Sequence, residues 1–220
     1  MGEAPDLLGQ LEGLDVRLGL PTYFVLGDHD LRRGSIARVR AEVRALCARV
    51  PGLHWLPGAG VVGLTPETAL VGHDGWADGR FGDHERSDVF LNDDRLIEEL
   101  AGLDGRERLL RLHALGDEAA AHLRAVLPEA LARSRRVIVM THVPPFREAC
   151  WHRGQISDDD WLPHYACRAV GDALVEAMSE HPECEMTVLC GHTHSPGEAQ
   201  ILPNLVVLTG RTESGRPVVQ

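Results

Sequence analysis

Residues 187–194 read TVLCGHTH, a short apolar run that ends in a glycine and two histidines one residue apart. Two other stretches have the same arrangement: YFVLGDHD at residues 23–30 and VIVMTHVPP at residues 137–145. Runs this short, rich in β-branched residues and apolar on both faces, are typical of buried strands rather than helices. Each of the three therefore predicts a strand whose carboxyl end carries an imidazole or a carboxylate.

The segments between these runs have helical patterns. Apolar residues from Val170 to Met178 keep the spacing of one helical stripe, and so do the leucines at residues 7–14. Residues 106–131 show a similar stripe, but Gly116 and Pro128 interrupt it, which leaves one helix or two open.

Two further segments predict antiparallel strands. Residues 53–71, which contain several glycines and prolines, predict two or three short strands in a hairpin. Residues 201–208 predict a hairpin that turns at Pro203 and Asn204. Strands that alternate with helices, together with these hairpins, predict a layered α/β domain.

Two polar segments contain aromatic residues that could approach a ligand. Residues 73–78 could form a loop over a site, but a surface loop with Trp76 packed beneath it is the favoured interpretation. Residues 151–161 are acidic and aromatic, and a solvated loop is favoured there over a lid.

The composition fits one globular domain that spans residues 1–220. The chain is 44% hydrophobic and 25% charged, and it has no apolar run near the ~20 residues that a membrane helix needs. Its formal charge of −11 argues against a nucleic-acid-binding surface. Five irregularly spaced cysteines indicate reduced thiols, and an acidic N-terminus without a signal core predicts a cytoplasmic protein.

The polar side chains at the strand ends are predicted to meet. Ligands of open α/β sheets bind outside the carboxyl ends of the strands. Asp28, His29, His142, His192 and His194 all follow a predicted strand. Imidazole and carboxylate groups together suit divalent ions such as Zn, Fe and Mn.

Each of these groups also has a simpler explanation. The two histidines of GHTH could be ordinary loop residues, and His142 could cap its strand. Gly27 and Asp28 could belong to a solvated turn, where such pairs are frequent. Their shared position at the strand ends makes a metal site the better interpretation.

In this order the motifs resemble those of the calcineurin-like metallophosphoesterases. That family carries Asp-x-His, Gly-Asp, Gly-Asn-His-Asp/Glu, a lone His and Gly-His-x-His in sequence. The chain has the last three, as GDHD at residues 27–30, His142, and GHTH at residues 191–194. The resemblance covers most of the chain and implies a layered α/β/β/α sandwich.

The resemblance also implies roles for individual residues. Asp28, His142 and His192 match ligands of one metal ion, and His194 matches a ligand of a second ion. His29 matches the catalytic histidine that protonates the leaving oxygen, and Asp30 would orient it.

The chain departs from the family pattern in two ways. Asp28 stands where the family has Asn, which adds a negative charge beside the metal. No Asp-x-His or Gly-Asp motif precedes Gly27. We therefore expect an N-terminally incomplete domain that lacks its first strands, with an exposed sheet edge beside residues 23–26.

The expected function is that of a metal-dependent phosphoesterase that hydrolyses a phosphomonoester or phosphodiester by two-metal activation of water. The complete family site holds two divalent ions (Mn, Fe, Zn or Ni), whereas the ligands in this chain predict one or none, and thus impaired activity. The alternatives are a catalytically inactive metal- or phosphate-binding module that acts through partners, and an interaction protein whose histidines only cap strands. The expected partner is a phosphate-ester substrate, with no membrane.

Overall fold

The computed structural model describes residues 3–211. Within this range the strands are β1 (Thr22–Phe24), β2 (Leu53–Trp55), β3 (Val62–Thr65), β4 (Thr68–His73), β5 (Arg136–Thr141), β6 (Trp151–His152), β7 (Gln155–Ile156), β8 (Glu185–Cys190), β9 (Gly197–Leu202) and β10 (Leu205–Thr209). The helices are α1 (Ala4–Leu18), α2 (Asp28–Leu31), α3 (Ile36–Arg49), α4 (Leu56–Ala59), α5 (Asp93–Leu96), α6 (Gly105–Arg133), α7 (Leu162–Tyr165) and α8 (Arg168–Glu180), with a 3-10 turn at Arg147–Ala149.

A six-stranded mixed sheet forms the centre of the molecule. Its strand order is β3-β4-β5-β8-β10-β9, and the four inner strands run parallel while β3 and β9 pair antiparallel at the edges. The predicted strands at residues 137–141 and 187–190 lie in β5 and β8, and the predicted hairpin at residues 201–208 is β9–β10. The predicted α/β fold class is therefore confirmed.

Helices α6 and α8 cover one face of this sheet. Val137 and Val139 of β5 and Val188 of β8 point into this core and are buried. The opposite face is only partly covered: Ile138 is half-buried and Leu189 is 36% exposed. The prediction that these strands are buried on both faces is wrong for this second face, where burial follows the alternation of a strand packed on one side.

Helix α6 runs unbroken through both predicted interruptions. Gly116 packs against Asp78 in the loop that follows β4, and a Cβ on Gly116 would come within 2.6 Å of the Asp78 Cβ. Near Pro128, Leu127 and Leu131 are buried in the core. Close packing explains the glycine, and burial of the apolar stripe outweighs the hydrogen bond that proline removes.

A second, two-stranded sheet lies beside the first. Strands β1 and β2 are parallel, and they share a second core with α1, α3 and the start of α6. The predicted hairpin at residues 53–71 is therefore only partly right: β3 and β4 form one, but β2 belongs to the other sheet. Between residues 3 and 211, the paired neighbour of β1 is β2, so its other edge has no strand beside it.

The segment predicted as a surface loop after β4 lies in the interior. His73, Asp74 and Asp78 are buried, and Trp76 packs in the second core. The prediction was right for Trp76 and wrong for its polar neighbours, which find partners on other elements. The segment at residues 151–161 is also more ordered than predicted, because it begins with the hairpin β6–β7.

Two simpler properties follow from the described chain. All five cysteines are free of disulfide bonds, as predicted. No helix between residues 3 and 211 combines the length and the apolarity that crossing a membrane requires.

Candidate metal centre

Asp28 begins the short helix that follows β1. Gly27 caps this helix, and its N–H donates a 2.9 Å hydrogen bond to Oδ2 of Asp30. The N–H of Leu26 donates a 2.8 Å hydrogen bond to the carboxylate of Asp74, which follows β4. This bond ties the main chain at Leu26 to the six-stranded sheet. These contacts point the Asp28 carboxylate towards the ends of β5 and β8, where it is buried.

His142 and His192 reach Asp28 from two neighbouring parallel strands. Oδ1 of Asp28 lies 2.7 Å from Nε2 of His142 and 3.4 Å from Nδ1 of His192. One ligand atom from each of the three residues lies within 4.8 Å of the others. Three of the five side chains that were predicted to meet at this edge do so, although 114 residues separate Asp28 from His142 in sequence.

Gly27 makes room for the His142 ring. A Cβ at this position would lie 2.7 Å from Cε1 of His142 and 2.9 Å from its Nδ1. No carbon atom approaches an imidazole that closely without displacing it. Glycine is therefore required for the contact between His142 and Asp28, a requirement that the sequence analysis did not find.

The loop that carries His192 is bent at the histidines themselves. The left-handed φ values belong to His192 (67°) and His194 (64°), and not to Gly191 that precedes them. Thr193 between them is buried. A left-handed non-glycine residue costs about 1 kcal/mol or more, so the surrounding packing must hold the two histidines in this conformation.

The tautomer of His192 suits metal binding. Its Nε2 lies 3.0 Å from the main-chain carbonyl of His164, which can only accept a hydrogen bond, so Nε2 carries the proton. Nδ1, which faces Asp28, is then the nitrogen that either takes up a proton or offers its lone pair to a metal ion. A histidine that donates one ring N–H to a carbonyl and offers the other nitrogen is the usual arrangement of a metal ligand.

The charges at the centre stabilise one another. Burial raises the pKa of Asp28, but hydrogen bonds to His142 and His192 outweigh it and hold this pKa well below its ordinary value of 3.8. Burial lowers the pKa of His192, yet the hydrogen bond and negative charge of Asp28 outweigh it and raise this pKa above 6.5. A proton therefore occupies a site that a cation can also fill.

Arg32 ties this centre to a second acidic residue. Its Nη2 lies 2.8 Å from Oδ2 of Asp28, and its Nε lies 2.6 Å from Oδ1 of Asp93. Neither contact was predicted from the sequence. The i, i+4 spacing of Asp28 and Arg32 was the only local signal of the first one.

A small cavity lies beside the three side chains. Its volume is about 20 Å³, and Asp28, His142 and His192 form its wall together with Asp93 and Trp76. This is room for a single water molecule or ion. One carboxylate oxygen and two imidazole nitrogens are a donor set that divalent transition metals accept, so the residues fit such an ion.

The other predicted site residues lie around this group of three. The imidazole of His29 is 44% exposed, and its Nε2 lies 3.7 Å from Oδ2 of Asp28. His194 is exposed and lies outside the group. Of the four predicted metal ligands the structure brings three together, and their role as ligands stays a prediction.

The family model described as calcineurin-like phosphoesterase matches residues 5–196. This chain belongs to that family. Among solved structures, the crystal structure of a dimetal phosphatase from Danio rerio is similar in fold, with a TM-score of 0.51 and 14% sequence identity. The match covers 94% of this chain and 65% of that one, so the chain spans slightly less than two thirds of its length. No curated protein sequence matches the chain.

Buried Asp74 forms hydrogen bonds that hold the main chain of this calcineurin-like site in position. Its carboxylate accepts hydrogen bonds from the N–H of Leu26 (2.8 Å), Nε1 of Trp55 (2.8 Å) and Nε of Arg40 (2.9 Å). The main-chain carbonyl of the same residue accepts a bond from the N–H of His142 (2.9 Å). One buried residue therefore sets the position of the chain on both sides of the Asp28–His142 contact.

Proposed function

We propose that this chain hydrolyses a phosphomonoester or phosphodiester with the help of a divalent ion held by Asp28, His142 and His192. The observation that carries the proposal is the meeting of one carboxylate oxygen and two imidazole nitrogens within 4.8 Å at the carboxyl edge of the sheet. Membership of the calcineurin-like phosphoesterases supports the reaction class.

The donor set favours Mn, Fe, Zn or Ni over alkaline-earth ions, because two of its three atoms are imidazole nitrogens. Such an ion, when bound, supplies a Lewis acid and activates water at neutral pH. The family resemblance assigns His194 to a second ion, and its exposure and its position two residues after His192 are compatible with this role.

His29 is the proposed proton donor to the leaving oxygen. Its ring is half-exposed and lies next to Asp28, so it can reach a substrate that approaches the centre from solvent. Asp30 holds the turn that presents His29, because its carboxylate accepts the hydrogen bond from the Gly27 N–H. We propose this positioning role for Asp30.

One contact favours the alternative, a metal- or phosphate-binding module without activity. Arg32 donates a hydrogen bond to Oδ2 of Asp28, so a fixed positive charge already lies against this carboxylate. A guanidinium at that position neutralises charge and favours a single ion, whereas the family mechanism uses two.

Metal content and hydrolysis together test the proposal. We expect purified protein to bind at least one Mn²⁺ in a calorimetric titration and to hydrolyse p-nitrophenyl phosphate or its bis ester. Asp28→Ala should weaken Mn²⁺ binding by at least about 100-fold, because it removes a ligand and leaves two imidazoles. Asp172→Ala removes a carboxylate whose side chain is 64% exposed and serves as the matched control.

His29→Ala separates the two roles. It should leave Mn²⁺ binding unchanged and lower kcat by about 100-fold or more, since general acid catalysis contributes 10²–10⁴-fold. Protein that binds Mn²⁺ but hydrolyses neither ester would support the inactive module. Protein that binds no metal would overturn the hydrolase proposal and the metal-binding form of the alternative.

A further inference from the structure

A second, larger cavity lies beside the metal centre, along the hairpin β6–β7. Its volume is about 570 Å³, within the range of small-molecule sites. Aromatic side chains line it, and polar groups stand at its rim. The lining residues used below, which we name the aromatic groove, are His152, Arg153, Gln155, Asp158, Trp161 and Tyr165.

The groove is attached to the loop that carries the metal-binding histidines. Nδ1 of His152 donates a 3.1 Å hydrogen bond to the carbonyl of Thr193, and the N–H of Arg153 donates a 2.8 Å bond to Oγ of Ser195. Two residues on the hairpin thus hold two residues on either side of His194. The hairpin that lines the groove is therefore hydrogen-bonded to the loop that follows β8.

The rings form a path from the centre to the solvent. Tyr165 meets the ring of His192 edge-on, with 5.3 Å between ring centroids. Trp161 stacks on Tyr165 at 5.2 Å, and His152 lies parallel to Trp161 at 6.5 Å. Trp161 is nevertheless 40% exposed, so part of its large apolar face is open to a ligand. An exposed indole inside a concave site is a platform for stacking.

The polar rim suits a heterocycle better than a plain hydrocarbon ring. Gln155 carries both a donor and an acceptor, Asp158 accepts, and Arg153 donates. A purine or pyrimidine presents donors and acceptors on its edge and a flat face for stacking. Only Tyr165 separates Trp161 from His192, with ring centroids 5.2 Å and 5.3 Å away, and the sugar of a nucleotide would span this gap between base and phosphate.

We infer that the aromatic groove binds the base of a nucleotide-type phosphate ester, stacked on Trp161. This inference rests on the proposed phosphoesterase function and names its substrate class. The acidic surface of the chain, which disfavours long nucleic acids, does not oppose a single nucleotide whose phosphate meets a cation.

The test compares two substrates whose leaving oxygen is in both cases the primary 5-oxygen of a ribose. Adenosine 5'-monophosphate and ribose 5-phosphate lose the same primary alkoxide and differ in the base; their methyl diesters form the same pair for a diesterase. With Mn²⁺ present, kcat/KM should be about 5- to 100-fold higher for the compound with the base, the range that stacking of one base provides.

Variants of the platform sharpen this comparison. Trp161→Ala should bring the ratio close to one by lowering kcat/KM for adenosine 5'-monophosphate more than for ribose 5-phosphate, whereas Trp161→Phe should keep most of the ratio because it keeps a ring. Leu20→Ala removes another exposed apolar side chain, 66% exposed and outside the groove, and should leave the ratio as in the wild type. A wild-type ratio near one, or an equal loss for both substrates in Trp161→Ala, would overturn the inference while the hydrolase proposal stands.

A binding experiment tests the groove in the case in which neither ester is hydrolysed. Adenosine, which has no phosphate, is titrated calorimetrically into the metal-free protein and into Trp161→Ala. Binding that disappears in the variant supports the groove even though the proposed hydrolysis has failed. Absence of binding to the wild-type protein rejects the groove.

Discussion

The two sides of the metal centre are positioned by different kinds of interaction. His142 and His192 follow β5 and β8, which pair in parallel over five residues and pack on α6 and α8. Asp28 follows β1, which pairs over three residues in a two-stranded sheet. The imidazoles thus stand on the larger apolar core, and the carboxylate stands on a small sheet in the second core that polar contacts tie to the first sheet.

This difference shows where the centre is sensitive. A two-stranded sheet is marginal by itself, so β1 depends on what ties it to its neighbours. The ties are the carboxylate of Asp74 and the pairing of Arg32 with Asp28 and Asp93. Changes to these few polar groups should matter more than changes of similar size on the surface.

The largest effect is expected at Asp74. Asp74→Ala leaves the N–H of Leu26, the indole of Trp55 and the guanidinium of Arg40 without their acceptor in the interior. We expect the free energy of unfolding to fall by about 3–5 kcal/mol, measured by urea denaturation. Asp74→Asn keeps an acceptor and should lose less. An equal loss in both variants would show that the charge of Asp74, and not its acceptor geometry, holds the two sheets together.

A smaller effect, confined to the centre, is expected at Gly27. Gly27→Ala pushes a methyl group into the His142 ring and should cost about 1–3 kcal/mol in apparent Mn²⁺ affinity, which is at least about fivefold in Kd. Gly105→Ala adds a methyl at a position with nothing within 4 Å and is the control. Unchanged Mn²⁺ binding in Gly27→Ala would mean that the His142–Asp28 contact is not needed for the metal.

The next prediction concerns the pH dependence of stability and His73, the last residue of β4 in the six-stranded sheet. Burial, then the charges of Arg40 and His122, lower the pKa of His73 to about 3 from its ordinary 6.5. The unfolded chain therefore binds this proton first, and the free energy of unfolding falls as the pH drops from about 6.5 towards 3, by at most about 1.4 kcal/mol per unit.

His73→Asn removes this titration and keeps an acceptor for the N–H of Gly75, which lies 3.0 Å from Nδ1 of His73. The variant should lose less stability on acidification than the wild type, as urea denaturation between pH 7 and pH 4 will show. Parallel curves for the two proteins would mean that His73 is not the group that resists protonation.

The smallest effect is expected for an ion pair on the surface. Arg38 and Glu98 form a close pair, but both side chains are more than half exposed. Glu98→Ala should change the free energy of unfolding by less than about 0.5 kcal/mol, because solvent screens such pairs. The same urea series as for Asp74→Ala measures it. A fall in the free energy of unfolding above about 1 kcal/mol would show that surface contacts are not weaker than interior ones in this protein.

Local patterns were enough to predict the elements on which the site stands. Strands β5 and β8, helix α8 and the hairpin β9–β10 were predicted because each depends on a short apolar pattern and its turn residues. The prediction failed for β2, since a strand pattern does not say which sheet the strand joins. It failed for Asp74 because a polar loop residue was taken as exposed, whereas its partners lie 34 and 48 residues away.

The sequence by itself determined the α/β class, the order of the motifs and the three side chains that could form a metal centre. These follow from the period of the apolar residues and from the rule that parallel strands share one carboxyl edge. Tertiary structure decided that a glycine must stand beside His142, that Arg32 shares Asp28 with the imidazoles, and that an aromatic groove adjoins the centre. The physical reason is that close approach, charge pairing and cavity shape depend on atoms brought together from distant parts of the chain, which no local pattern specifies.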